Sequence, residues 1–300
     1  MNNRKSIVGR LYSLKWATIL TKRVALTIGM PVFNGGKYVH EALSSLLAMT
    51  GVDFQVFVSD NCSTDDTPEK VRQVAGEDSR VSYFRHDKNV GAYANFSGLL
   101  DHAESDFFMW AAHDDLWRPT FAATLIAALV SDPDAAFAIP RWITRSMSLG
   151  PVGGFEPPGD MRIITSEDPI ERVLKFTEML ATSHKDNLVY GMWRTSIIKS
   201  VLTTFPYQVI GGAMCQHILA QHRGVWVNEV LFEKRYAGLA PGHPLDKPHR
   251  SIMALKARLR GVRRGPDPYN RQTYIDEITV GLRAAGFPEE QLQHIDRIHE

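Results

Sequence analysis

Asp106-Phe107-Phe108-Met109-Trp110-Ala111-Ala112-His113-Asp114-Asp115-Leu116-Trp117-Arg118-Pro119 is the stretch from which the rest of the chain can be ordered. From Phe107 to Ala111 the run is continuously apolar and holds three aromatics, the pattern of a strand buried on both faces of a parallel sheet. Polarity flips at His113, Asp114 and Asp115. Pro119, with its fixed φ and missing N–H, suits the first turn of a helix downstream. In open α/β sheets ligands bind outside the carboxyl ends of the strands, so two adjacent carboxylates there offer hard oxygens to a divalent ion carrying phosphates. The same two residues also read as turn and N-cap residues ahead of a helix. The stretch alone leaves both readings open.

Upstream, the pattern repeats. Val24–Gly29 is β-branched and apolar, reads as a buried strand, and runs into Met30-Pro31-Val32-Phe33-Asn34-Gly35-Gly36 before a helix carrying Tyr38, Ala42, Leu46 and Leu47. Phe54–Val58 is a second strand, ending in Ser59-Asp60-Asn61-Cys62-Ser63-Thr64-Asp65-Asp66-Thr67-Pro68, where Thr67 can cap a helix and Pro68 open it. Val81–Phe84 is a third, ending in Arg85-His86-Asp87-Lys88-Asn89-Val90-Gly91, and a helix over Tyr93–Ala103 leads into the Phe107 strand. Strand, polar loop and helix alternate four times, which predicts an α/β fold: a right-handed, mostly parallel sheet with helices on both faces. Asn34, Asp60, Asn61, Asn89, Asp114 and Asp115 then gather along one sheet edge. Taken singly, each such loop is also ordinary turn chemistry.

The 300 residues are 44% hydrophobic and 22% charged, ordinary globular material with a sizeable core. Two cysteines, Cys62 and Cys215, give no disulfide framework or Cys-rich metal site and favour a reducing compartment. The longest apolar stretch, within Phe121–Val130, is well short of the roughly 20 residues of a membrane span. The net charge of +1 is unevenly laid out, because residues 1–23 carry six Lys/Arg and residues 247–264 seven, with no acid in either. The remainder is left at −12. Both flanks have apolar residues at helical spacing, Ile7, Val8, Leu11, Leu14, Trp16, Ile19 and Leu20 in one, Ile252, Leu255, Leu259 and Val262 in the other. They read as basic amphipathic helices, packed on the acidic body or lying on an anionic membrane surface. Nucleic-acid binding is not expected, since no module is recognisable and aromatics are not interleaved with the basic residues. A nicotinamide enzyme is excluded by Gly29-Met30-Pro31-Val32-Phe33-Asn34-Gly35, which lacks the Gly-x-Gly-x-x-Gly phosphate turn.

The ordered set Ile28–Asn34, Val58–Thr67, Asn89-Val90-Gly91 and Ala112–Pro119 resembles the inverting family-2 glycosyltransferases of GT-A (Rossmann-like) fold, over roughly residues 24–130 and more faintly to about 236. The resemblance implies a single sugar moved from a nucleotide-diphosphate sugar, with a UDP-sugar favoured, to an acceptor hydroxyl. It implies that Pro31, Phe33, Asn34 and Asp60 line the nucleoside pocket, with Asp60 accepting from a ring N–H of the base. Asn61 stands where the family more often has a second Asp, and Asn89 and Gly91 shape the neighbouring loop. Asp114 and Asp115 correspond to the metal motif, with Asp115 on Mg²⁺ or Mn²⁺ and Asp114 toward the ribose or a metal-bound water. The family's additional acid falls at Ala112 or His113.

In the second half, Phe121–Val130 reads as a helix, Ala135–Ile139 as a strand, and Arg145–Ile164 as an irregular Gly/Pro-rich loop. Ile170–Leu180 and Gly211–Arg223 read as helices and Val225–Val230 as a strand. By the family's spacing the acceptor base falls near Ala213; His217, one turn on, is the nearest group able to serve, with Asp186 second. The family's Arg-x-His is Arg235-Tyr236-Ala237, with His243 the nearest replacement. The expected organisation is a basic segment over 1–23, a transferase domain over 24–238 divided at 130, and a helical C-terminal extension over 239–300 with helices at Tyr274–Ala285 and Pro288–Ile298, polar enough for the surface. A cytoplasmic enzyme of cell-envelope polysaccharide biosynthesis, peripheral at the membrane and using a glycan or lipid-linked acceptor, is the expectation. The alternative is a catalytically degenerate domain that binds a nucleotide or partner.

Overall fold

The computed structural model describes residues 25–146, 160–179, 185–204, 211–236 and 271–299. The expected basic segments 1–23 and 247–264, His243 and Ala237 lie outside them. Strand β1 (Ala25–Val32) is central. It pairs in parallel with β2 (Asp53–Asp60) on one side and β4 (Phe107–Trp110) on the other, and β2 pairs in parallel with β3 (Val81–Arg85). Alternate residues of β1, Leu26, Ile28, Met30 and Val32, are buried, while Thr27 on the other face bonds Ser105 through its hydroxyl at 2.8 Å. All four residues of β4 are buried, as the apolar run predicts.

The intervening helices are α1 (Val39–Leu47), α2 (Thr67–Glu77) and the short α3 (Ala92–Ser97), which tightens into a 3₁₀ turn over Gly98–His102. Thr67 does not cap α2. Its hydroxyl accepts from Gly35 N–H at 2.9 Å and donates to Asp65, and Asp66 stands at the cap position without a side-chain capping bond, its carboxylate pairing with Lys70 at 2.8 Å instead. Between β4 and α4 (Phe121–Ser131) the chain forms a two-residue strand, β5 (Leu116–Trp117), so neither Asp114 nor Asp115 caps that helix. Pro119 falls just before the helix rather than in its first turn; the 2.9 Å bond from Thr50 N–H to its carbonyl ties it to the turn after α1.

The second half completes an eight-stranded sheet in the order β3-β2-β1-β4-β7-β6-β8-β5. Strand β6 (Phe137–Ser146) runs well past the predicted Ile139, so Arg145 is strand rather than loop; a 3₁₀ turn over Met161–Thr165 and α5 (Pro169–Glu178) come next. A 3₁₀ turn over Lys185–Tyr190 leads to β7 (Met192–Arg194), which pairs antiparallel with β4 and β6, then α6 (Thr195–Thr204) and α7 (Gly212–Gln221). Strand β8 (Gly224–Tyr236) is parallel to β6 and antiparallel to β5. Its register slips where Pro140 and Arg141 interrupt the ladder, as expected at a residue with no N–H to give. Beyond that bulge β8 pairs Glu233 with Leu116, which carries Lys234 and Arg235 up to the Asp114-Asp115 turn.

Helices α8 (Arg271–Ala284) and α9 (Glu289–His299) differ from the expectation of a polar surface pair. Ile278, Leu282, Phe287, Leu292 and Ile295 are buried with the main core, and α8 packs against α7. Their apolar stripes are narrow, so their composition is polar although one face is fully used.

Candidate active site

The loops at the carboxyl ends of β1, β2 and β3 are tied to one another by side chains. Asn34, in the left-handed region at φ 53°, donates its N–H to Ser63 Oγ at 2.9 Å and accepts from Thr64 N–H at 2.8 Å. Gly36 N–H donates to Asp65 Oδ2 at 3.0 Å, and a Cβ on Gly35 would fall 2.3 Å from the His113 ring, so only glycine lets the first loop lie against the fourth. Asn61 donates to Asn89 Oδ1 at 3.0 Å and accepts from Val90 N–H at 2.8 Å, while Asn89 also receives Gly91 N–H at 2.9 Å. Gly91 holds φ 90°, a conformation costly for any residue with a Cβ. Asn61 therefore works as a neutral cross-brace, giving and accepting at once, which the more usual carboxylate could not do. Pro31 is buried beneath this edge and Phe33 stands out from it, 45% exposed.

Asp60, expected to accept from the base, has both carboxylate oxygens engaged within the protein. The side chain is fully buried; Oδ1 accepts from Ser63 N–H at 2.8 Å, Oδ2 accepts from the Tyr83 hydroxyl at 2.6 Å, and Arg85 lies 3.7 Å away. A ring N–H of a base has no access to it in this arrangement. Burial and the adjoining carboxylate push the Tyr83 phenol far above its usual range, so it remains a donor.

At the end of β4, Asp114 lies in the turn, partly exposed, and Asp115 is 1% exposed. Asp115 Oδ1 accepts from Arg235 N–H at 2.8 Å, whereas Oδ2 is buried with no partner. Burial pushes this carboxyl up to about 7, against the pull of Lys234. The Arg235 side chain donates through Nε to the Asp114 carbonyl and through Nη1 to Glu41, and its guanidinium lies 5.2 Å over the Tyr38 ring. Its Nη2 is also buried and unpartnered. His113 is half-buried, and burial lowers its pKa although Asp114 and Asp65 oppose this.

No three His, Cys, Asp or Glu side chains converge as a metal cluster among the described residues. A divalent ion bridging a diphosphate needs only one or two protein carboxylates, with phosphates and water supplying the rest. The orphaned Oδ2 of Asp115, with Asp114 adjacent, fits that smaller requirement.

At the start of α7, the helix expected to carry the acceptor base, Ala213 is buried. His217 is 2% exposed, its Nε2 is 2.7 Å from the Gln221 side-chain nitrogen, and a Cβ on Gly281 of α8 would stand 3.6 Å from it. Burial lowers it to about 4, so it is neutral but lacks the solvent access expected of a base. Helix α8, outside the resemblance, is what covers it. Asp186 lies in the turn over Lys185–Tyr190 next to Asn187, whose Oδ1 accepts from Lys234 Nζ at 2.7 Å. Nothing local in the sequence marks Glu41, Tyr38 or Lys234 as members of this site. Arg235 stands out in the sequence only as the start of an Arg-x-His that lacks its histidine, and its 120-residue separation from Asp115 carries no local signal.

Comparison with known proteins bears on the fold and the family. The model for Glycosyl transferase family 2 matches residues 27–182, just over half the chain. An uncharacterized glycosyltransferase of Rickettsia typhi is 31% identical over 94 residues, 31% of this chain and 28% of that protein. The GalNAc(5)-diNAcBac-PP-undecaprenol beta-1,3-glucosyltransferase of Campylobacter jejuni is 30% identical over 91 residues, 30% of this chain and 29% of its own. The matched segment thus spans under a third of these curated relatives. Among solved structures, S. aureus TarS 1-349 with UDP-GlcNAc superposes with a TM-score of 0.59 at 17% identity, covering 92% of this chain and 70% of that one. The mannosyltransferase PcManGT from Pyrobaculum calidifontis, in complex with GDP-Man and Mn²⁺, gives 0.52 at 16% identity, covering 96% and 80%. At such identities the likeness is one of fold, and the fold is GT-A. With a family model covering more than half of it and the strand-end loops assembled as described, the chain belongs to glycosyl transferase family 2.

Proposed function

We propose that this glycosyltransferase moves one sugar from a nucleotide-diphosphate sugar, a UDP-sugar by preference, to an acceptor hydroxyl with inversion at the anomeric carbon. The observation that carries the reading is the pairing at one sheet edge of a braced Asn34/Asn61/Asn89 loop system with a buried, half-satisfied Asp115. In this reading Pro31 and Phe33 face the nucleoside, and Asn34, Asn61, Asn89 and Gly91 hold the loops that frame it. Asp60 sets the shape of the β2 loop through Ser63 and Tyr83 rather than touching the base. Asp115, with Asp114, would hold Mg²⁺ or Mn²⁺, which when bound supplies Lewis-acid stabilisation of the diphosphate leaving group. Lys234 and Arg235 add fixed positive charge on the same side.

Inversion asks for a base opposite the leaving group, and Asp186 is the better candidate than His217. It lies beside Asn187, which Lys234 holds close to the Asp115 turn, while His217 is covered by α8. Asp186→Ala should lower turnover by about 10² or more with UDP affinity unchanged, and His217→Ala should stay within a few-fold of the parent. The reverse pattern would return the role to His217.

Isothermal titration with UDP and Mn²⁺, run beside a turnover assay over a panel of nucleotide sugars, tests the whole reading. Binding without turnover would favour the degenerate binding module, which the buried Ala213 at the usual base position supports. The acceptor is proposed to be lipid-linked, with the basic flanks 1–23 and 247–264 on an anionic leaflet. Among the described residues no helix is long and apolar enough to cross a membrane. Sedimentation with phosphatidylglycerol vesicles checks this: binding should weaken with salt and on removal of either flank. Equal recovery in the supernatant with anionic and neutral vesicles would remove it.

A further inference from the structure

Two buried, unpartnered atoms of opposite character belong to one cluster: Asp115 Oδ2 and Arg235 Nη2. Each belongs to a residue whose other polar atoms are engaged. Asp115 Oδ1 takes the Arg235 N–H, Arg235 Nε goes to the Asp114 carbonyl, and Arg235 Nη1 goes to Glu41. The cluster therefore draws on three separate segments, the turn after β4, the end of β8 and the first turn of α1. Glu41 is the outermost member, 62% exposed at its side chain against 5% for Arg235. Tyr38, just ahead of the same helix, supplies the ring under the guanidinium at 5.2 Å. Lys37 Nζ lies 4.9 Å from the centre of that ring, so the aromatic is steadied by two cations.

A guanidinium buried beside a carboxylate can turn in two ways. It can fork onto Asp115 and close the site with an internal ion pair, or it can be drawn off to another anion and leave Asp115 Oδ2 open. In this structure Glu41 is that other anion. Its hydrogen bond to Nη1, together with the Asp114 carbonyl on Nε, occupies one donor of each guanidinium edge, Nε/Nη2 and Nη1/Nη2, so that no complete fork is left for Asp115.

We propose that Glu41 is a positioning residue for the donor site: by holding Arg235 from α1 it keeps Asp115 Oδ2 free for a divalent cation and fixes the Asp114-Asp115 turn through the Arg235 side chain and backbone. Glu41 itself touches neither donor nor metal. The inference rests on the reading of Asp115 as a metal ligand and deepens it by naming the residue that sets its orientation. Groups that orient a metal ligand typically change metal affinity or activity by about 10- to 100-fold when removed.

The test is isothermal titration of UDP with and without Mn²⁺ on the full chain, for the parent, Glu41→Ala, Glu41→Gln and Arg235→Lys. The readout is the ratio of UDP affinity with Mn²⁺ to that without. Glu41→Ala should cut this ratio by about 10-fold or more while metal-free UDP affinity stays within about 2-fold. Glu41→Gln, which keeps an acceptor oxygen for Nη1, should recover most of it. Arg235→Lys keeps the charge but not the fork and should behave like Glu41→Ala. Metal-free affinity doubles as the control for folding. An unchanged ratio in Glu41→Ala overturns the inference, as does an equal loss with and without Mn²⁺, which would make Glu41 merely structural. A parent whose UDP affinity ignores Mn²⁺ would overturn the metal reading and this inference together, a pattern distinct from the other two.

Discussion

The ends of β2 and β4 carry carboxylates at almost the same depth, Asp60 at 0% and Asp115 at 1% exposure, and differ in how they are partnered. Around Asp60 both oxygens are taken, by a backbone N–H and a phenol, with a guanidinium nearby. Around Asp115 one oxygen is taken and the other is empty, and its carboxyl is pushed up to about 7. Depth alone therefore does not tell a structural acid from a ligand. A buried charge whose hydrogen bonds are complete locks a loop; one with an unpaired oxygen is held at a cost to the fold that a proton or a bound cation relieves. The family resemblance assigns both residues to ligand contacts. Of the two, Asp115 alone keeps an oxygen without a partner.

The largest test of this contrast is Asp115→Ala. Removing the charged oxygens should bring the ratio of UDP affinity with and without Mn²⁺ to about one, since a methyl offers no ligand to a hard cation. Titration checks it directly, and a preserved ratio would erase the distinction drawn between the two acids. Asp60→Ala should act on the fold instead. It strands the Ser63 N–H and the Tyr83 hydroxyl and leaves Arg85 without its buried partner, for a loss of about 2–4 kcal/mol in denaturant unfolding. UDP binding by the folded fraction should weaken equally with and without Mn²⁺; a loss confined to the metal-bound state would restore a ligand role.

Asp115→Asn sharpens the contrast in the opposite direction. The amide can still accept from Arg235 N–H while removing a charge that burial disfavours. The folded pKa of about 7 lies above the ordinary aspartate value of 3.8, so the penalty is absent below about 4, grows between about 4 and 7, and is complete above about 7. Relative to the parent, the variant should thus gain most stability near pH ~8 and little near pH ~4. Thermal melts at the two pH values check this, and a larger gain at the acid end would refute it. Tyr83→Phe should have the smallest effect. Losing one donor to Asp60 should cost about 1 kcal/mol and leave the Mn²⁺ ratio unchanged.

Much of the first half is legible in the sequence because its signals are local. Apolar runs at Phe107–Trp110 and in β1 can be little else than buried strands, and the polar residues that end them occur at spacings set by the strand–loop–helix repeat. Thr67 reads as a helix cap because capping is the only role its neighbours advertise, whereas its actual partner, Gly35, belongs to another loop. The polar reading of α8 and α9 fails for the related reason that composition averages over faces.

The sequence by itself determined the α/β class, the places of the first four strands along the chain, the family, and the set of polar residues at their ends, because hydrophobic period and turn chemistry act over a few residues. Tertiary structure decided which of those residues are spent. Asp60 is saturated by Ser63 and Tyr83, His217 is covered by α8, and Asp115 keeps one open oxygen while Arg235, brought back by the bulged length of β8, bonds Glu41. Partner counts of this kind depend on contacts between residues as many as 194 positions apart, and a hydrogen bond has no periodicity along the chain from which to read it.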